Sequence, residues 1–148
     1  MAWYLCTISR HEPRNWERCK EAGLWGVPGE SKAAREVKKG DQLLFWMGGR
    51  GYIGFGQVTD LGRVPLRRDE VPWAGGLARW SYIIPMRVQV EIKQPVRLKF
   101  SHSVQELTGF AATHFQRGFA SIADKPAQTV AEQILERSFE EVEEGHTL

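Results

Sequence analysis

A chain of 148 residues with 42% hydrophobic side chains falls within the size of one domain and can bury a core of its own. The net charge of +2 hides an uneven spread: Glu140, Glu141, Glu143 and Glu144 crowd the last nine positions, which leaves 20 basic against 14 acidic residues in the body. Two cysteines, Cys6 and Cys19, give no disulfide framework, no apolar run is long enough to cross a membrane, and the start lacks a basic signal-peptide flank, so the sequence predicts a cytoplasmic protein.

Trp3 to Ser9 combines aromatic and β-branched residues and predicts a strand near the centre of a sheet. Pro13 suits the first turn of a helix that runs to about Ala22 and stops at Gly23. Gly23 to Gly29 then reads as a shaped turn with Trp25 in its middle, because glycine reaches positive φ and Pro28 cannot continue a regular ladder. Ser31 is placed to cap a short helix, Lys32 to Val37, ended by the turn Lys38-Lys39-Gly40-Asp41.

Gln42 to Trp46 is a nearly continuous apolar strand, and the glycine-rich stretch 47–51 predicts a hairpin into a second strand from Tyr52 to about Asp60. Gly54-Phe55-Gly56 lies inside that strand and opens no helix, so it marks a bulge or sharp coiling rather than a dinucleotide site. Residues 61–81 read as a loop mixing Arg63, Arg67, Arg68 and Arg79 with Trp73 and Trp80. Arginines that hold phosphates beside rings that stack are the ingredients of a single-strand or flipped-base site, and equally of an ordinary loop anchored by two tryptophans.

From Tyr82 to Lys93 the residues Met86, Val88, Val90 and Ile92 alternate with polar ones, as in a strand with one buried face. Val96 to Phe100 predicts a further strand, Ser103 to Leu107 a helical turn, and His114 to Phe119 a loop. Asp124 and Pro126 open a helix whose apolar stripe is Ala127, Val130, Ala131, Ile134 and Leu135, through about Phe139. Residues 1–139 are therefore expected to form one α+β domain, strands curling into a small barrel with helices against it, followed by a frayed acidic tail, 140–148.

The chemistry of catalysis is sparse. The four histidines are scattered without zinc-ligand spacing, Cys6 reads as a buried apolar residue, and no catalytic, metal or cofactor site is predicted. Glu91-Ile92-Lys93 matches the short acid-x-lysine element of metal-dependent nucleases, a three-residue pattern that arises easily by chance. The aromatic residues suit another task. Trp25, which equally reads as a core tryptophan plugging the end of the first helix, makes a slot for a flat base where one or both of Trp73 and Trp80 face it, with the Gly26 amide and the polar Ser9, Arg10, His11 and Asn15 at its edge. Lys32, Arg50, Arg79 and Arg117 are the candidate phosphate contacts.

Asn15-Trp16-Glu17, Gly23-Leu24-Trp25-Gly26-Val27-Pro28, Val37-Lys38-Lys39-Gly40-Asp41-Gln42-Leu43 and the glycine-containing strand Tyr52 to Val58 together resemble the EVE domain, a PUA-like family related to the YTH readers of methylated adenine. The resemblance implies a PUA-like mixed β-barrel with flanking helices and a non-catalytic, base-flipping reader of a modified base, 5-methylcytosine or 5-hydroxymethylcytosine in DNA before RNA. It also implies a link to restriction, with a nuclease as partner. It makes Trp25 one cage wall, the Gly26 amide a base contact, and Trp73 or Trp80 the second wall. His11 stands where YTH readers carry asparagine, a departure bearing on adenine preference. The alternatives are a PUA-like hydrolase of modified nucleosides, whose related ASCH motif is absent here, and a small-molecule sensor or adaptor.

Overall fold

The computed structural model describes residues 1–97 and 118–146, the last two by backbone only. In chain order the elements are β1 (Trp3–Ile8), α1 (Arg14–Ala22), β2 (Leu24–Pro28), α2 (Lys32–Glu36), β3 (Gln42–Met47), β4 (Gly51–Val58), a 3-10 turn (Arg68–Glu70), α3 (Gly76–Arg79), β5 (Trp80–Val96), β6 (Phe119–Ile122) and α4 (Asp124–His146). The strands form one mixed sheet in the order β2-β5-β4-β3-β1-β6, in which β1 and β3 run parallel and every other pair is antiparallel.

The sheet curls into a half-barrel. Register shifts between Tyr52 and Gly54 and between Phe55 and Gly56 bend β4 against β5, which is the coiling expected from the two glycines. The curl brings the two edge strands towards each other at one end: a Cβ on Gly118, just before β6, would lie 3.8 Å from Cδ of Pro28 at the end of β2.

Each face of the sheet buries its own core. One gathers Tyr4, Cys6, Phe45, Trp16, Cys19, Trp25, Trp73, Trp80 and Met86 beneath α1 and the long loop; the other packs Trp3, Leu5, Leu44, Tyr52, Ile92 and Val96 against Ala127, Val130 and Ile134 of α4. Alternation along β1 sends Tyr4 and Cys6 to the first core and Trp3 and Leu5 to the second.

Several sequence expectations hold in detail. Gly23 ends α1 with φ 65°, and its N–H donates to the Cys19 carbonyl. The Ser31 hydroxyl caps α2 by accepting from the Ala34 N–H at 3.1 Å.

Others change. The stretch expected to be a shaped turn is strand β2, paired through Leu24–Val27 with Pro85–Tyr82 of β5; only Gly23 and Gly29 at its two ends have positive φ. Pro28 is tolerated because the register shifts at Val27/Pro28 on an edge strand. The loop 61–81 is not slack: Glu70 accepts from the Leu66 and Arg67 amides, both at 3.0 Å, and closes the 3-10 turn. The expected strand Tyr82 to Lys93 is longer, reaching Trp80 and Val96.

Helix α4 runs on past Phe139 to His146, whereas a frayed acidic end was expected. The Glu141 carboxylate accepts from the Lys93 and Gln94 amides, both at 2.8 Å, and the Arg137 guanidinium donates to the Gln94 carbonyl at 2.9 Å. Those β5 groups are free because the register shift lifts this part of the strand off β4. Leu135 and Phe139, expected on the buried stripe, stand beside it and are exposed. The expected strand end at 98–100, the turn at 103–107 and the loop at 114–117 lie outside the described residues.

Candidate functional site

At the end of the half-barrel where Pro28 and Gly118 approach, a cavity of about 710 Å³ opens between the ends of β1, β2 and β3, helix α1 and the long loop. Its lining brings together Trp25 and Gly26 of β2, Trp73, Arg79 and Trp80 of the loop and β5, Ser9 and Arg10 after β1, and Asn15 and Cys19 of α1. The three expected wall residues thus line one space, Trp73 and Trp80 both among them. The two touch each other, ring centroids 5.2 Å apart and planes tilted by 53°.

The local sequence explains each placement. Trp16 and Cys19 are one turn apart on the buried face of α1, which puts the Cys19 sulfur under the loop. There Sγ accepts from Trp73 Nε1 at 3.1 Å and faces the Gly26 amide. Burial pushes the Cys19 thiol up to about 12 although both of these donors oppose it, and burial likewise raises Cys6, so both stay protonated. Trp80 Nε1 donates to the Ala74 carbonyl at 2.9 Å, and the Arg79 guanidinium lies 4.6 Å from the Trp80 ring centroid.

The rings are tightly held. Trp25 is 4% exposed, Trp73 3% and Trp80 7%, so each offers the cavity a strip of surface rather than an open face. Gly26 owes its identity to Trp73: a Cβ there would come within 2.6 Å of Cζ3 of that ring. The amide expected to read a base edge is therefore directed at Cys19, with Trp73 covering its Cα in this arrangement. The Trp25 indole N–H and the Thr7 hydroxyl, on two cavity-lining residues, are buried with no hydrogen-bond partner among the described residues.

The mouth is polar. Glu12 accepts from Arg79 Nη1 at 2.9 and 3.0 Å and from Asn15 Nδ2 at 2.7 Å. The hydrogen bond from Arg79 holds the Glu12 carboxyl below its ordinary pKa against the opposing effect of desolvation, with Asn15 adding to the lowering. Arg10 lines the mouth and has no carboxylate partner among the described residues; its Nε lies 3.4 Å from Nε2 of His11.

Some candidates fall elsewhere. His11 is exposed beside Arg10 and does not line the cavity, Lys32 is exposed on α2, Arg50 is exposed in the β3–β4 hairpin, and Arg117 lies outside the described residues. Glu91 of the nuclease-like element accepts from Trp16 Nε1 at 2.6 Å and pairs with Lys20 at 2.9 Å, which ties α1 to β5. Among the described residues no three histidine, cysteine or acidic side chains come together as metal ligands, and no helix is long and apolar enough to cross a membrane. Sequence reasoning missed Thr7, Cys19, Trp46, Gly48 and Gly49 as lining residues. The glycines of the hairpin and the Trp16/Cys19 spacing were the available signals.

No family model matches the sequence, and no curated protein matches it. Solved structures do match. A hypothetical protein from Leishmania major is 15% identical, covering 92% of this chain and 96% of that one with a TM-score of 0.61. The Toxoplasma CPSF4-YTH domain in apo form is 13% identical over 92% and 88%, TM-score 0.65. The YTH domain-containing protein mmi1 in complex with RNA is 12% identical over 90% and 80%, TM-score 0.61. At these identities the likeness is one of fold. The chain has the PUA-like α+β fold with a curled six-stranded sheet, a fold it shares with these YTH domains.

Proposed function

We infer that the protein is a non-catalytic nucleic-acid binder that takes one modified base into the cavity walled by Trp25, Trp73 and Trp80. The observation carrying this reading is the convergence of Trp25 of β2, Trp73 of the long loop and Trp80 at the start of β5 on one cavity of about 710 Å³ whose mouth carries Arg10 and Arg79. The finer reading is 5-methylcytosine or 5-hydroxymethylcytosine in DNA, marked for a nuclease partner. The fold shared with an RNA-bound YTH protein supports a second arm, a modified base in RNA.

Extruding a base from a duplex costs a few kcal/mol, and stacking returns about 1–3 kcal/mol per base. Because the rings expose only strips, a base stacks fully on them only after Trp73 and Trp80 shift. A shift of Trp73 uncovers Gly26, and the Trp25 N–H, which has no partner among the described residues, is the donor on offer to the ligand. A buried donor without a partner costs about 1–3 kcal/mol, so an acceptor on the base edge gains what the closed cavity lacks. A methyl group adds only about 0.8 kcal/mol, so discrimination rests on fit and edge contacts.

Titration with matched oligonucleotides, unmodified or carrying 5-methylcytosine, 5-hydroxymethylcytosine or N6-methyladenine, as DNA and as RNA at two salt concentrations, separates base reading from phosphate attraction. A salt-independent preference of tenfold or more for one modification is expected. Equal affinities, or release of a nucleoside product on incubation, would sink the reader assignment.

A further inference from the structure

Helix α4 buries its last core side chain at Ile134 and then continues to His146. Beyond Ile134 it is fastened by polar clamps, Glu141 on the Lys93 and Gln94 amides and Arg137 on the Gln94 carbonyl, so this extension is fixed to the sheet without burying its apolar residues. Those residues are Leu135, Phe139 and Val142, exposed by 38%, 62% and 58%. Their i, i+4, i+7 spacing makes one stripe along two turns, and Phe139 and Val142 form a wall of a groove of about 570 Å³ against Lys93 and Gln94 of β5. The exposed Glu132, Glu136 and Glu143 flank the stripe on its outer side.

From this arrangement we propose that the outer face of α4 is a docking surface for a basic amphipathic helix of another protein. The partner's apolar side chains lie along Leu135, Phe139 and Val142, and its lysines or arginines meet Glu132, Glu136 and Glu143. Charge selects this occupant. The acidic rim repels the phosphates of nucleic acid, and a second copy of the chain would set glutamates against glutamates. An apolar stripe at helical spacing is the half of a helix-in-groove contact that the partner completes. The stripe lies on the α4 side of the sheet, whereas Trp25, Trp73 and Trp80 pack into the core on its other side.

The test uses an 18-residue fluorescent peptide with a leucine face and lysine flanks, and a second peptide with glutamate in place of lysine, titrated against the whole protein by anisotropy. The lysine peptide is expected to bind at least tenfold tighter than the glutamate peptide. F139S/V142S should reduce its binding tenfold or more with an unchanged thermal melt. E136Q/E143Q, which leaves the stripe intact, should reduce it severalfold and serves if the first variant unfolds. Three results would overturn the proposal: unaltered binding by both variants, displacement of the peptide by an oligonucleotide, or sedimentation showing a wild-type dimer that F139S/V142S dissolves.

Discussion

The aromatic cavity and the outer ridge of α4 are built in opposite ways. The cavity draws on β1, β2, β3, α1 and the loop, hides its rings to within 3–7% of full burial, and carries arginines at its mouth. The ridge comes from one helix, leaves Phe139 and Val142 more than half exposed, and is rimmed by glutamates. In the cavity, the proposed ligand contacts and the core packing fall to the same rings, whereas on the ridge apolar surface is displayed at little cost to the fold.

Truncation should separate the two regions most clearly. Trp25→Ala removes a core ring touching Phe45 as well as a cavity wall, and is expected to lose about 3–5 kcal/mol in urea unfolding. Phe139→Ser on the ridge should stay within about 0.5 kcal/mol of wild type in the same experiment. Since Trp25→Ala confounds stability with binding, Trp25→Phe is the sharper variant for the site. It keeps a packed ring, removes the indole N–H, and should weaken selective binding with a smaller loss of stability.

A middle-sized effect is expected at Gly26. The Cβ of Gly26→Ala would enter the Trp73 ring and push it off Cys19, costing about 1–3 kcal/mol and lowering the affinity gap between modified and unmodified oligonucleotides. If stability falls while the gap is unchanged, Trp73 is packing alone.

On the ridge, Glu141→Gln weakens the charge-assisted bonds to two β5 amides and should cost about 1–2 kcal/mol. Hydrogen exchange should then quicken in 140–146, with the cavity loop unaffected.

The smallest effect concerns acid. Glu12 is held below its ordinary pKa chiefly by Arg79, so its contribution is complete above the unfolded carboxylate value and is lost as pH falls through the lowered folded value. The pair is partly exposed, so less than about 1 kcal/mol is at stake, and Glu12→Gln should flatten that part of the pH–stability curve.

Local signals were read well. Gly23 as a helix stop, Ser31 as a cap and the bulging glycines of β4 each act through neighbours in sequence or through a backbone conformation. Trp25, Trp73 and Trp80 were also legible as companions, from aromatic composition on candidate loops together with the family resemblance. What escaped depends on distant partners. Leu24–Pro28 becomes a strand only because β5 comes to pair with it, and α4 keeps its acidic end helical only because a register shift leaves two β5 amides for Glu141. The Cys19–Trp73 bond likewise needed the loop folded over α1.

The indole N–H resonances distinguish a base-filled cavity from a packed one, because the tryptophans carry distinct partners: Cys19 for Trp73, Ala74 for Trp80, Glu91 for Trp16 and none among the described residues for Trp25. On titration with an oligonucleotide carrying the preferred modified base, the Trp25, Trp73 and Trp80 signals should move and saturate, Trp25 furthest as its N–H gains an acceptor, while Trp16 stays in place. The unmodified strand should leave all four unmoved. Binding of the modified strand with no change in those three indoles would contradict the account.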